Sequence, residues 1–218
     1  QMNVRVSEEF GMYFARIPLK RTPHIYHGNA LTTDWNEVLP AERASFVFGN
    51  PPFVGHHYQS EAQKANFENV MHVINGSGVL DFVSAWYVKA AQYLHSNGSQ
   101  TRCALVSTNS ITQGEQVGLL WNWLLANDVK IHFAHRTFQW SNEARGVAAV
   151  HCVIIGFGLG DQPRKMIYEY EDLRGEPHAV PAANINPYLV DGPDVVLTNR
   201  TTPLFDVPQM RWGNKPTD

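Results

Sequence analysis

The sequence predicts an open α/β sheet, because strand-like and helix-like segments alternate along it. Short β-rich runs at residues 24–28, 44–49 and 102–107 are typical of buried strands. Between the second and third runs, VLDFVSAWYVKAAQYLH places its apolar residues at helical spacing and is followed by an Asn-Gly pair that would end a helix. This alternation favours a sheet with helices on both faces over a helical bundle or a β-sandwich.

The following segments extend the same pattern. GEQVGLLWNWLLAND, residues 114–128, predicts a helix, and VKIHFAHRTF after it predicts a strand. Residues 146–158 are rich in Val and predict another strand. The predicted order is therefore β-β-α-β-α-β-β, and the last two strands lie close enough in sequence to form an antiparallel pair.

The chain changes character after residue 160. Eight of its 13 prolines lie beyond this point, in a stretch with few periodic apolar runs. We therefore expect one unit over residues 1–160 and an extended, Pro-rich connector over residues 161–218. We also expect GHHYQSEAQKANFENV, residues 55–70, to form a mobile loop in which Lys64 is a candidate phosphate contact.

Composition limits the possible functions. A net charge of −3 and a pI near 6.4 give no basic surface for an independent nucleic-acid binder, so any DNA contact must be local or assisted by another segment. With no apolar run of about 18 residues and no signal-peptide pattern at the start, a cytoplasmic location is expected. Cys103 and Cys152 lie in apolar runs, which favours buried thiols over a disulfide. The spacing of the histidines is not that of a metal site, so we expect no bound metal.

The motif that carries chemistry is Asn-Pro-Pro-Phe, residues 50–53, directly after the second predicted strand. Ligands of open α/β sheets bind outside the carboxyl ends of the strands, where this motif would lie. The prolines hold Asn50 extended and donate no N–H of their own, which leaves the carbonyl oxygens of the turn to accept hydrogen bonds from a ligand. An amide oxygen, a carbonyl oxygen and the Phe53 ring together suit a planar base with an exocyclic amino group.

Such an arrangement can activate adenine for methylation. The adenine amino group is a poor nucleophile because its lone pair is delocalised into the ring. The Asn50 side-chain oxygen and the Pro51 carbonyl could hold its two hydrogens and draw the lone pair out of the ring plane, while Phe53 stabilises the positive charge that develops on the base. A base in duplex DNA would first have to be flipped out of the stack.

Nearly the whole chain resembles the MmeI-like adenine methyltransferases, which use S-adenosylmethionine in restriction-modification systems and are often fused to a nuclease. The resemblance lies in ordered blocks: HGNALTTDW, GNPPFVG, LDFVSAWYVKAAQYL, LVSTNSITQGEQV, FAHRTFQWSNEA, VHCVIIGF, INPYLVDGPDVV and GNKPTD. It implies part of a class I, Rossmann-like methyltransferase sheet with a C-terminal antiparallel strand pair. It also implies S-adenosylmethionine as the cofactor and double-stranded DNA as the partner.

The resemblance assigns roles by position. Asn29 falls where these enzymes place a polar residue near the adenine of the methyl donor, and Phe138 matches an aromatic that packs against the flipped base, with Trp140 as a second candidate. The catalytic, base-holding positions are Asn50, Pro51, Pro52 and Phe53.

The resemblance also implies what to expect outside this chain. The glycine-rich loop that holds the donor would precede residue 1, and a target-recognition domain would begin after GNKPTD. Residues 1–160 would then be the C-terminal half of a catalytic domain, weakly active or inactive by itself. Two alternatives stay open. One is a methyltransferase for RNA or for protein glutamine that uses the same Asn-Pro-Pro-Phe motif. The other is a non-catalytic DNA-binding or assembly module.

Overall fold

The fold is built on one mixed six-stranded sheet. A computed structural model describes residues 23–96, 100–140 and 150–198, together with Thr202, Phe205, Asp206 and Pro208. The strands lie in the order β1-β2-β4-β3-β5-β6. Their bounds are Phe46–Gly49 (β1), Arg102–Thr108 (β2), Val129–Trp140 (β3), Val150–Leu159 (β4), Lys165–Glu169 (β5) and His178–Ala182 (β6).

The strand directions place four carboxyl ends at one edge. β1 pairs parallel with β2, and β3 pairs parallel with β5. β4 lies between β2 and β3 and is antiparallel to both, so β3 runs in the same direction as β2. The segments that follow β1, β2, β3 and β5 therefore leave the sheet on the same side. The predicted antiparallel pairing of the last two strands of residues 129–158 is confirmed.

The helices pack into a single core against the sheet. They are Trp35–Val38 (α1), Glu61–Met71 (α2), Ser84–His95 (α3), Gly114–Gln116 (α4) and Asn122–Ala126 (α5), with a π-helical turn, Val117–Trp121, joining α4 to α5. Buried side chains of α2, α3 and α5 share one apolar cluster with Cys103 and Leu105 of β2 and Ile155 of β4. At its centre the Tyr87 ring stacks on Phe157, with centroids 5.2 Å apart.

The opposite face of the sheet is open in the described residues. Phe48, Ala104, Gly156, Phe133 and Met166 occupy one rung across five strands and therefore share this face. They line a cavity of about 350 Å³. On β1 the Phe48 side chain is 82% exposed. Helices on this second face, which the sequence predicts, stay a prediction.

Two predictions about local structure are wrong. Residues 24–28 form no strand: a strand satisfies its backbone groups on a neighbouring strand, and β1 pairs only with β2 in the described chain. The expected loop over residues 55–70 is helical from Glu61 onwards, where α2 begins. Its start is a capping box in which the Ser60 hydroxyl accepts from the Gln63 N–H while the Gln63 side chain accepts from the Ser60 N–H.

Residues beyond 160 also differ from an extended connector. β5 and β6 lie within this range and complete the sheet, and Ile185 forms an isolated bridge with Ile131 of β3. The division of the chain at residue 160 stays a prediction. None of the helices in the described part of the chain is long and apolar enough to cross a bilayer.

Candidate functional site

The Asn-Pro-Pro-Phe motif lies at the edge of the sheet where the parallel strands end. β1 ends at Gly49, and Asn50 is the next residue. Asn50 and Pro52 are exposed, Pro51 is buried and Phe53 is half-buried. Pro51 thus anchors the motif in the protein, while Asn50 is exposed to solvent, where a ligand can reach it. This is the position that the sequence predicts for a ligand-binding turn.

Asp81 fixes the loop that follows the motif. The Val54 carbonyl accepts from the Phe82 N–H at 2.9 Å. Asp81 Oδ1 accepts from the His56 N–H at 3.2 Å, and its Oδ2 accepts from the Ser110 hydroxyl at 2.6 Å. One carboxylate therefore joins the loop after β1, the start of α3 and the turn after β2.

The turn after β2 is itself ordered around this carboxylate. The hydroxyls of Thr108 and Ser110 are hydrogen-bonded at 2.7 Å, and the Asp81 N–H donates to the Gln116 side chain at 3.2 Å. Sequence reasoning did not find this network. The sequence signal for it was the position of Asp81, three residues before Ser84, which is the first residue of α3. The Ser84 hydroxyl donates to the Asp81 carbonyl.

The aromatic residues Phe138 and Trp140 lie at the same edge, at the end of β3. β1 and β3 are separated by β2 and β4, which corresponds to about 14 Å between strand axes. Phe138 is half-buried and Trp140 is 40% exposed, with ring centroids 6.0 Å apart. The structure thus brings both predicted aromatics to the edge that carries Asn50, and it leaves a gap between them and the motif.

Asn29 lies in a turn before α1. Its side-chain oxygen accepts from the Leu31 N–H at 3.0 Å, and its carbonyl accepts from the N–H groups of Thr32 and Thr33. Its Nδ2 group has no hydrogen-bond partner among the residues that the structure describes, so it can donate to a ligand. The turn accounts for an asparagine at this position, and a role in donor binding stays a prediction.

The two thiols do not contribute chemistry. Both cysteines are free and buried, as the apolar runs around them predict. Burial raises the pKa of Cys103 to about 12 and that of Cys152 to about 11. Both are therefore protonated and poor nucleophiles at neutral pH.

Comparison with known proteins decides the family. The MmeI DNA-methyltransferase domain family matches residues 1–169. The chain belongs to this family. The family resemblance predicted from the sequence blocks is thereby confirmed, and the methyltransferase-like α/β sheet agrees with it.

Two known proteins are similar to this chain over part of their own length. It is 37% identical over 205 residues to DNA methyltransferase A of Bacillus subtilis (strain 168), which covers 93% of this chain and 22% of the relative. It is also similar to the solved structure of the type IIL restriction-modification enzyme MmeI in complex with DNA, with 60% identity and a TM-score of 0.86, covering 100% of this chain and 29% of that one. The chain therefore spans between a fifth and a third of the length of these relatives.

Proposed function

We propose that this chain is the base-binding part of an S-adenosylmethionine-dependent DNA adenine N6-methyltransferase of a restriction-modification system. The observation that carries the proposal is the Asn-Pro-Pro-Phe motif at the carboxyl end of β1, on the sheet edge that also carries Phe138. Double-stranded DNA is the partner under this proposal. Fused nuclease and target-recognition domains would lie in the full-length protein, as the family resemblance implies.

Asn50 and Pro51 would hold the amino group of the flipped adenine. Asn50 is exposed at the strand end while Pro51 is buried beside it, so the acceptor atoms sit on a fixed backbone. Two acceptors placed on the two amino hydrogens localise the nitrogen lone pair and direct it towards the methyl donor. This preorganised arrangement stabilises charge that develops only in the transition state.

The aromatic side chains would hold the base from two sides. Phe53 is half-buried directly after the prolines and would stack on the base. Phe138 and Trp140 would contact it from the end of β3. Aromatic faces stabilise the partial positive charge on the methylated ring, and they replace the stacking that the base loses when it leaves the duplex.

S-adenosylmethionine would supply an electrophilic methyl group bonded to a sulfonium sulfur. The residues of this chain fit only part of such a donor. The Asn29 side-chain amide has no partner for its N–H group among the described residues, so it could donate to a ring nitrogen of the donor's adenine. Under the family resemblance, the glycine-rich loop for the donor's methionine lies outside this chain, so the described residues account for the base side of the reaction.

The proposal is tested by methyl transfer from labelled S-adenosylmethionine to duplex DNA with the full-length natural protein. The Asn50→Ala variant should lower kcat by about 100-fold or more while leaving donor binding intact, because the lost acceptor acts in the transition state. Asn75→Ala is the matched control, since Asn75 is exposed in the turn after α2. We expect label on adenine N6 with the wild type and with Asn75→Ala, and loss of that label only with Asn50→Ala.

The same assay identifies the alternatives. No transfer to DNA by a full-length protein that binds the donor would overturn the proposal. Transfer to RNA or to a protein glutamine would then assign the Asn-Pro-Pro-Phe motif to one of those substrates. Absence of both transfer and donor binding would favour a non-catalytic module.

A further inference from the structure

Phe138, the aromatic at the end of β3, is backed by a second ring. The Tyr170 ring, one residue after β5, stacks on Phe138 with centroids 5.3 Å apart and an interplanar angle of 25°. β3 and β5 are parallel neighbours, so both side chains leave the sheet at the same edge. Trp140 approaches Phe138 at an angle of 47°, which leaves Tyr170 as the stacked partner.

Tyr170 is held in turn by a histidine of β3. Its hydroxyl and Nδ1 of His135 are hydrogen-bonded at 2.8 Å. The His135 ring stacks on Tyr168 with centroids 4.3 Å apart and an interplanar angle of 8°. Burial lowers the pKa of His135 and raises that of Tyr170, so both groups are neutral near pH 7 and the hydrogen bond can form with either tautomer.

The turn that carries Tyr170 is fastened to the end of β3. The Gln139 N–H donates to the Leu173 carbonyl at 2.7 Å, and the Arg174 guanidinium donates to the Gln139 side chain. Arg136 and Glu169 form an ion pair at 2.9 Å. These two hydrogen bonds and the ion pair therefore hold the turn after β5 against the end of β3.

β3 needs this support because its pairing with β4 is irregular at the same place. The register between the two strands shifts between His135 and Phe138. A bulge of this kind re-aims the side chains that follow it. Because of this irregularity, strand pairing alone does not fix the direction of the Phe138 ring. The stacked Tyr170 ring, whose hydroxyl is hydrogen-bonded to His135, does fix it.

We propose that Tyr170 is a positioning residue that presents Phe138 to the flipped base, with His135 fixing the Tyr170 hydroxyl. This inference rests on the proposed function, since it assigns Phe138 to the base. Tyr170 packs against Phe138 and acts on the base only through it. Sequence motifs give no sign of this role, because Tyr170 follows a short strand 32 positions after Phe138.

The test compares four variants in the full-length natural protein: Phe138→Ala, Tyr170→Ala, the double variant and Tyr170→Phe. Tyr188→Phe is the matched control, because the Tyr188 hydroxyl also takes part in a hydrogen bond, accepting from the Leu197 N–H, in a segment that belongs to no proposed site. Base flipping is followed by the fluorescence of 2-aminopurine at the target adenine of a duplex. Methyl transfer gives kcat and KM, and thermal unfolding reports the stability of each variant.

We expect Tyr170→Ala to lower kcat/KM by about tenfold and to reduce the 2-aminopurine signal. Tyr170→Phe should retain the stack and lose about threefold or less. The double variant should be no worse than Phe138→Ala, since Tyr170 acts through Phe138. Tyr188→Phe should change neither kcat/KM nor the fluorescence.

Two results overturn the inference. One is that Tyr170→Ala flips the base and methylates it with the same fluorescence signal and the same kcat/KM as the wild type. The other is additive losses in the double variant, which would mean that Tyr170 acts independently of Phe138. Failure of the proposed function has a separate signature, because the wild-type protein itself would then neither flip nor methylate the target adenine.

Discussion

The Ser110 hydroxyl donates to Asp81 Oδ2 at 2.6 Å, across 29 positions of the sequence. The same carboxylate accepts from the backbone N–H of His56, three residues after Phe53. Asp81 therefore couples the turn after β2 to the loop that follows the Asn-Pro-Pro-Phe motif. Its side chain is only 14% exposed, so its hydrogen bonds are largely shielded from water.

Asp81→Ala should lower the free energy of unfolding by about 2 kcal/mol, because it leaves a serine hydroxyl and a backbone N–H without their acceptor. It should also lower methyl transfer by releasing the loop next to Phe53. Asp81→Asn retains an acceptor and should lose less of both. Urea unfolding and methyl-transfer rates measure the two effects, and equal losses in both variants would contradict this account.

Gly156 of β4 lies beneath an aromatic ring. A Cβ added here would overlap Cε1 of Phe133, so the ring would have to move. We expect Gly156→Ala to lower the free energy of unfolding by about 1–3 kcal/mol. Combining it with Phe133→Ala should recover part of that loss. Gly78→Ala is the control, since nothing lies within 4 Å of its added Cβ, and an equal cost there would argue against the ring clash.

Much of the site could be predicted from local sequence. The position of Asn50 follows from a β-rich run and the prolines after it. Phe138 and Trp140 were assigned by the family resemblance, and the strand predicted over residues 129–138 stops short of Trp140, which the structure includes in β3. α2 was missed because its face is largely polar, although Ser60 and Gln63 form a capping-box pattern that signals a helix start.

What the sequence could not predict depends on contacts between distant residues. β6 contains Pro181 and, among the described strands, pairs only with β5 at the outer edge of the sheet. Neither β5 nor β6 was predicted from the sequence. The Asp81 hydrogen bonds and the Tyr170 stack join segments about 30 residues apart. Such pairings depend on the register of the whole sheet, which local periodicity does not specify.

His132 should make the stability of the fold depend on pH. Its Nε2 donates to the Gly160 carbonyl at 3.1 Å, and its buried Nδ1 has no partner in the described part of the chain. Burial is the main cause that lowers the pKa of His132, with a further contribution from Arg102. The unfolded chain therefore binds a proton at a higher pH than the folded chain does.

The free energy of unfolding should thus fall as the pH drops below about 6.5, the ordinary value for histidine, and continue to fall until the folded pKa is reached. His132→Gln keeps a donor for the Gly160 carbonyl and removes the titration, so it should flatten this dependence. Urea unfolding at a series of pH values from 7 to 5 measures the slope. An unchanged slope in His132→Gln would exclude His132 as its source.

The segment after β6 is held to the sheet by a polar network around Asp194. Asp194 Oδ2 accepts from Lys130 of β3 at 2.6 Å, and its Oδ1 accepts from the Asn184 side chain at 2.8 Å. Asn184 in turn accepts from Lys165 of β5 at 2.8 Å. Burial raises the pKa of Asp194, but the hydrogen bonds from Lys130 and Asn184 outweigh it and hold the pKa below its ordinary value.

Because the pKa of Asp194 is lowered in the folded state, this network contributes stability above the ordinary aspartate pKa and loses it as the pH falls through the folded pKa. Asp194→Ala should remove that contribution at neutral pH and leave Lys130 without its carboxylate partner. We expect residues 183–198 to be cleaved faster by a protease in Asp194→Ala, since local release of a segment exposes its backbone. Asp172→Ala is the matched control, because Asp172 accepts only within its own turn among the residues that the structure describes. Equal cleavage rates in the two variants would mean that the apolar contacts of Ile185 and Leu189, both buried, hold the segment without the ion pair.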